Sequence, residues 1–288
     1  MDSEFDYDFF VIGGGSGGLA SAVEAAKQGK KVAVCDFVKP TPKGSTWGIG
    51  GTCVNVGCIP KKLFHFASHL GQLRKDIVQC GWDVDLSKEH NWSKMQKHVY
   101  VHIKKTNWRI TTTLMKDKIK YFNKQGKIVG KNKVELSDGK GNVSDTITAK
   151  YILIATGGRP RYLDSIPNIR DLAITSDDIF WKKEAPGKTL VIGSGYIGCE
   201  LSGALSGMGY DVTMLVRSKI LRGFDSQMVD YVKEGLKSVG VKFQNGNIKT
   251  LTRGEDGKIQ ATWVNKEGAS ENDAFDTLIL AIGRTPAV

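Results

Sequence analysis

Cysteine is scarce in this chain. Its five cysteines, Cys35, Cys53, Cys58, Cys80 and Cys199, are too few in 288 residues for a disulfide scaffold, and odd in number. In a reducing compartment a close pair of thiols is a redox or metal-binding device before it is a structural one. Proline is also sparse, with seven residues, and no low-complexity segment interrupts the chain. No apolar run approaches the roughly 20 residues that a membrane span needs. The opening residues, Met1-Asp2-Ser3-Glu4-Phe5-Asp6, are acidic and lead straight into a strand, unlike a secretory or transit peptide. A cytoplasmic location is expected. The net charge of +11 is spread along the chain, and no stretch alternates basic and aromatic residues. Neither nucleic acid nor membrane is therefore expected as a partner. The excess charge reads as solvated surface with some attraction for anionic cofactors or an acidic protein.

Against these absences stands a long-period repeat. Residues 9–18, FFVIGGGSGG, read as a buried strand entering a glycine turn, followed by the helical stretch LASAVEAAKQGK and the strand Lys31–Asp36. At a constant offset of 180 residues the plan returns as Thr189–Ile192, the turn Gly193–Gly198, the helix CELSGALSGM and the strand Asp211–Val216. Each unit closes on a similar strand, KYILIATG at 150–157 and TLILAIGR at 277–284, preceded by turn-rich hairpin sequence. The expected fold class is α/β: two Rossmann-like domains, each with a parallel sheet, helices and a β-meander. The boundary falls near residue 160, giving domains 1–160 and 161–288. Residues 60–120 read as helical, with Leu63, Phe66, Leu70, Leu73 and Ile77 on one apolar stripe.

Gly13-x-Gly15-x-x-Gly18 opens a helix after a strand, and Asp36 ends the next strand. Glycines there allow a tight turn, close approach of a pyrophosphate and tight helix–strand contact, while a carboxylate suits a ribose diol. The second copy has Val216 at that point, then Arg217 and Arg222. A carboxylate about 4 Å from a 2′-phosphate would cost on the order of 4 kcal/mol per unit charge at an effective dielectric near 20. Arginines reverse that sign and grip phosphate in bidentate fashion. The first site thus suits FAD or NAD, and the second NADPH.

The stretch Gly50-Gly51-Thr52-Cys53-Val54-Asn55-Val56-Gly57-Cys58-Ile59-Pro60-Lys61-Lys62 places two cysteines at the entry of a helix with proline in its first turn. A helix N-terminus and nearby lysines are expected to lower a thiol pKa and raise its reactive fraction. The spacing differs from the CxxC of zinc sites, and no second Cys or His pair completes a tetrahedron, so no metal is expected. Cys35, Cys80 and Cys199 read as small apolar residues.

GGTCVNVGCIPKK resembles the redox signature of the flavin disulfide reductases, and the resemblance covers essentially the whole chain. DFVKPTPKGSTWGIGG, TSDDIF at 175–180 and VRSKILRGFD at 216–225 are similar to the large thioredoxin reductases rather than to the glutathione reductases. The resemblance implies FAD and NADPH as cofactors, thioredoxin as acceptor and a homodimer for the full-length form. It implies that Cys58 sits against the flavin and that Cys53 attacks the outgoing disulfide. By the same resemblance Lys61 would lie beside the flavin and pair with Glu200, with Lys62 as its backup. Gly13, Gly15, Ser16, Gly17, Gly18, Asp36, Thr52, Cys53 and the closing residues Ala155, Thr156 and Gly157 would line FAD. Tyr196 would cover the nicotinamide pocket, and Gly193, Ser194, Gly195, Ile197, Gly198, Glu200, Arg217, Arg222, Gly283 and Arg284 would line NADPH.

Two departures accompany the resemblance. The family continues past the AIGR stretch into a flavin-contacting segment and a dimerisation domain with a His-Glu pair. None of His65, His69, His90, His98 or His102 has that histidine's context, so an incomplete FAD domain and a fragmentary product are expected. A tyrosine near the family's dithiol is Ile110 here. The alternatives are a glutathione or thioredoxin-glutathione reductase, or an inactive nucleotide-binding fragment.

Overall fold

A computed structural model of the chain describes residues 4–287, apart from the Lys75 side chain. In chain order the first half holds β1 (Tyr7–Ile12), α1 (Ser16–Lys27), β2 (Val32–Cys35), α2 (Gly51–Val56), α3 (Cys58–Gln72), α4 (Arg74–Gln79), α5 (Trp92–Lys116), β3 (Lys120–Phe122), β4 (Gln125–Gly130), β5 (Lys133–Ser137), β6 (Val143–Ile154) and β7 (Gly158–Pro160). The second half holds α6 (Ile169–Leu172), β8 (Ile174–Thr175), α7 (Ser176–Ile179), β9 (Thr189–Ile192), α8 (Tyr196–Gly207), β10 (Val212–Val216), α9 (Ser226–Ser238), β11 (Lys242–Asn245), β12 (Asn247–Arg253), β13 (Ile259–Val264), β14 (Ser270–Phe275), β15 (Thr277–Leu280) and β16 (Arg284–Pro286). The fold is mixed α/β with parallel sheets.

The chain divides into two compact units. One comprises Met1–Ile59, Val101–Arg159 and Pro286–Val288, the other Pro60–Tyr100 and Pro160–Thr285. A single cut near residue 160 would leave Pro60–Tyr100 with the first unit, whereas its contacts group it with the second.

In the first unit the strand order is β3-β2-β1-β6-β5-β4. The run β3-β2-β1-β6 is parallel, and β6-β5-β4 is an antiparallel meander. Apolar residues are continuous in β1 and β2 because both faces of the sheet are covered. Phe10, Ile12, Ala33 and Cys35 pack with Val134 and Leu136 on one face. Val11, Val32 and Val34 pack with Ala22, Ile49, Leu114 and Ile119 on the other. Each fully buried large side chain there contributes roughly 1.5–3 kcal/mol of transfer free energy.

The second unit repeats the plan with an all-parallel sheet, β11-β10-β9-β15-β8. The antiparallel strands β12-β13-β14 cover one face through Leu251, Ile259, Trp263 and Phe275. Cys199, Met214, Val216, Leu236 and Val241 fill the other.

The apolar stripe expected on residues 63–77 is not the buried face of its helix. The stripe is split between α3 and α4, and Phe66 and Leu70 are 55% and 44% exposed. The face that packs carries Pro60, Phe64 and Ser68. Phe64 meets the edges of Trp92 and Phe180 at centroid distances of 5.3 and 4.9 Å. Ser68 Oγ donates to the Gly203 carbonyl at 3.5 Å, and a side chain at Gly207 would collide with Ser68. Close helix approach there requires small residues, so the larger apolar ones face outward.

Candidate functional site

The first glycine turn is fixed by sterics. Gly13 sits at φ +115°, and any Cβ there would collide with the Ala155 carbonyl. A Cβ at Gly18 would collide with the Gly13 carbonyl, which is why α1 can lie so close to β1. A side chain at Gly17, by contrast, would meet nothing within 4 Å. Helix α1 has no side-chain cap and no acidic residue in its first turn, so no side chain of the turn satisfies its leading N–H groups. Helices α7 and α9, elsewhere in the chain, are capped by Thr175 and Asp225. The Gly14 N–H donates to Asp36 Oδ1 at 3.0 Å, holding the carboxyl at the rim of the turn. Burial raises the Asp36 pKa, and the backbone N–H groups of Gly14 and Phe37 oppose that shift.

The dithiol segment packs on the same turn. Gly50 N–H donates to the Gly14 carbonyl at 2.9 Å, and a Cβ at Gly51 would stand 2.6 Å from Gly15 Cα. Helix α2 then carries Thr52 and Cys53, and Cys58 opens α3 with Pro60 in its first turn. The Cys53 thiol meets both the Cys58 thiol and the Ser16 hydroxyl. Burial pushes the Cys53 pKa up, the adjoining Cys58 adds to the rise, and Ser16 acts against it. The direction is opposite to the depressed value expected for that thiol: loss of hydration and the neighbouring Cys58 outweigh the hydrogen bonds from Ser16 and the Cys58 backbone. The Lys61 ammonium is taken up by Glu200, with Nζ to Oε1 at 2.8 Å. Lys62 is exposed.

Two asparagines that sequence reasoning passed over organise this segment. Asn55, between the two cysteines, donates Nδ2 to the carbonyls of Gly51, Gly48 and Ile49 at 2.9, 3.1 and 3.4 Å. Asn107 on α5 donates to the Ile49 carbonyl at 2.6 Å and to Asn55 Oδ1 at 3.0 Å. Both are buried. Asn55 has a signal in the sequence, a polar side chain flanked by Val54 and Val56, which are buried; Asn107, between Thr106 and Trp108, has none. Ile110, one turn beyond Asn107, packs into the apolar cluster with Ile49 and Leu114.

The second glycine turn repeats the geometry. Gly193 sits at φ +110° against the Ala281 carbonyl, Gly198 lies against Gly193, and nothing lies within 4 Å of a Cβ on Gly195. Helix α8 also lacks a side-chain cap. Tyr196 is exposed at its start. Arg217 and Arg222 follow β10 and are exposed, with no ion pair for either among the described residues. Gly283 accepts from the Arg161 N–H at 3.0 Å, and Arg284 Nη1 donates to the fully buried Asp177 at 2.9 Å.

The remaining cysteines divide. Cys35 and Cys199 are buried in the apolar clusters, with pKa values pushed up by burial to about 12 and about 11. Cys80 is exposed, against the expectation that it packs as a small apolar residue, because it caps the short α4 at the surface. His65, His69, His98 and His102 are exposed, and His90 Nδ1 bonds to the Tyr210 hydroxyl at 3.1 Å. Among the described residues no three His, Cys, Asp or Glu side chains converge on a metal-sized site. No helix among them is long and apolar enough to cross a membrane.

Residues 7–288 match the family model of the pyridine nucleotide-disulphide oxidoreductases. The chain is 48% identical over 283 residues to the thioredoxin reductase SEP1 of Emiliania huxleyi, covering 98% of this chain and 57% of that protein. It is also 48% identical over 284 residues to thioredoxin reductases of two Plasmodium falciparum isolates, FCH-5 and 3D7, covering 97% of this chain and 51% and 45% of theirs. The chain spans about half the length of the curated relatives it matches.

Proposed function

Because the chain belongs to the pyridine nucleotide-disulphide oxidoreductase family, we propose that it forms the cofactor-binding part of an NADPH-dependent flavoprotein that reduces thioredoxin through Cys53 and Cys58. The observation that carries this reading is the meeting of Cys53 with Cys58 and Ser16 beside an uncapped glycine turn. In this reading residues 1–160 form a Rossmann-like FAD domain and residues 161–288 a similar NADPH domain. The whole protein works as a homodimer. A reducing cytosol is where such a dithiol keeps cycling.

The residues present fit both cofactors. The open space over Gly17 and the uncapped N-terminus of α1 suit a pyrophosphate. Asp36, already oriented by Gly14, has a carboxylate for a ribose diol. The second turn offers α8 in the same way, with Arg217 and Arg222 for a 2′-phosphate. A bound flavin supplies the two-electron relay between nicotinamide and the Cys53–Cys58 disulfide.

The chain's own sulfurs then carry the exchange. Cys53 Sγ, as thiolate, attacks one sulfur of the acceptor disulfide, and the other acceptor sulfur leaves as a thiolate. Cys58 next attacks Cys53 Sγ, expels the first acceptor sulfur and closes the Cys53–Cys58 bond. Two electrons pass to the acceptor, and the two thiol protons follow them. Ser16, hydrogen-bonded to Cys53, favours the charged form of that sulfur. The Asn55–Asn107 pair holds the segment in which it stands.

The test is a thiol count. The oxidised full-length protein, loaded with FAD and given NADPH, should yield alkylatable thiols at both Cys53 and Cys58, and thioredoxin should consume them, whereas the 288-residue chain alone should not turn over. Retention of the Cys53–Cys58 disulfide after NADPH addition to the FAD-loaded full-length protein would falsify the electron path.

A further inference from the structure

We infer that Ser194 is a positioning residue that sets the preference for a 2′-phosphorylated dinucleotide, by pinning the Arg217–Arg222 loop to the second glycine turn. The inference rests on the reading of that arginine pair as the phosphate-facing one.

The internal repeat supplies the argument. The 180-residue offset sets Gly14 against Ser194 and Asp36 against Val216. In the first turn the backbone N–H of Gly14 holds the strand-end carboxylate directly. No side chain is tolerated at Gly14: a Cβ there would lie 2.9 Å from Ile49 Cγ1 and 3.0 Å from Asp36 Cβ. In the second turn the strand ends in Val216, which is buried and has no polar group to offer. The turn must be tied to the following loop by other means, and at this position a side chain is present.

Ser194 Oγ donates to the Lys219 carbonyl at 3.1 Å, and the Leu221 N–H donates to the Ser194 carbonyl at 2.8 Å. One residue thus clamps the loop from its side chain and from its backbone. The clamped segment includes Leu221 at φ +46°, a left-handed conformation that a side chain of this kind adopts only when its surroundings hold it there. Arg217 stands two residues before Lys219, and Arg222 directly follows Leu221. The spacing of the two guanidinium groups is therefore set by a loop whose path the Ser194 hydroxyl fixes. The hydroxyl is bonded to the loop and Ser194 is buried, so it acts through the arginines.

The experiment measures dissociation constants of NADPH and NADH for the 288-residue chain, its Ser194→Ala, Ser194→Thr and Arg217→Ala variants, and their melting profiles. The unaltered chain should bind NADPH more tightly, and Arg217→Ala should erase most of that margin. Losing the hydroxyl removes one hydrogen bond, so Ser194→Ala should weaken NADPH about tenfold and NADH less than about twofold. Ser194→Thr, which keeps the hydroxyl, should retain the preference. Should Ser194→Ala fail to fold, Ser194→Gly, the residue used by the first turn, carries the same expectation. Equal weakening of both nucleotides, or none, overturns the inference and leaves the arginine reading intact. An unaltered chain without preference for NADPH, or an Arg217→Ala variant that keeps it, removes the arginine reading itself.

Discussion

The two parallel sheets begin alike and close differently. Strand β15 lies between β9 and β8, and Leu278, Ile279 and Leu280 are buried. Its counterpart, the end of β6, pairs with β1 on one side, and among the described residues no strand lies along its other edge past Lys150. Tyr151 and Ile154 are 63% and 58% exposed there. The sequences YILI and TLIL are almost equally apolar, so composition does not decide which is buried. The neighbour does: the pairing of β8 with Ile279 and Leu280 seals one edge and leaves the other sheet open at the same place. An unpaired apolar edge is a liability in solution and a surface prepared for another strand.

The comparison can be broken first where the two units are claimed to be equal. Gly18→Val and Gly198→Val should each remove about 4 kcal/mol or more, since both drive a side chain into a carbonyl oxygen. Urea denaturation followed by limited proteolysis should show each variant losing its own unit, and a mild effect at one position would end the claim of a shared opening. The closing strands should then diverge. Leu280→Ala leaves a cavity worth about 3 kcal/mol, whereas Ile154→Ala, already in solvent, should cost under about 1 kcal/mol in the same titration. Equal losses would mean that β6 is covered in solution.

The strand ends offer a finer cut. Asp36→Asn weakens an acceptor that serves the Gly14 N–H, and FAD retention after gel filtration should fall about fivefold, with NADPH affinity unchanged. The smallest effect concerns the thiols. Burial holds Cys35 near 12, above its ordinary value of 9.0. Its protonated form is therefore favoured by folding. That contribution is complete below pH about 9 and is lost as the pH rises towards about 12. Alkylation of the folded chain should proceed at exposed Cys58 and Cys80, rise with pH at Cys53, and spare Cys35 and Cys199. Modification of Cys35 at neutral pH would show that the first sheet opens.

Much of this architecture was legible in the sequence because it is local. Strand, glycine turn, helix and strand follow within Tyr7–Cys35 and again within Thr189–Val216, and Gly13, Gly18, Gly193 and Gly198 have no alternative residue type at those contacts. What escaped depends on partners far along the chain. The stripe from Leu63 to Ile77 has helical period, but period does not say which face has a neighbour, and Ser68 against Gly203 took the packed side. Cys80 looked like the other lone cysteines until its place at the end of α4 was known. Arg284 carries no sign in sequence that buried Asp177, 107 positions away, occupies it. The Cys53 pKa rise likewise reflects enclosure, which no motif encodes.

The knot between Asn55 and Asn107 makes the dithiol segment depend on the two amides staying intact. Spontaneous hydrolysis of an asparagine amide leaves a carboxylate of nearly the same shape. At position 55 that group would face the oxygens of Gly48, Ile49 and Gly51 with no proton to offer them. An ageing population would lose its hold on the segment bearing Cys53 while every sulfur remained chemically intact.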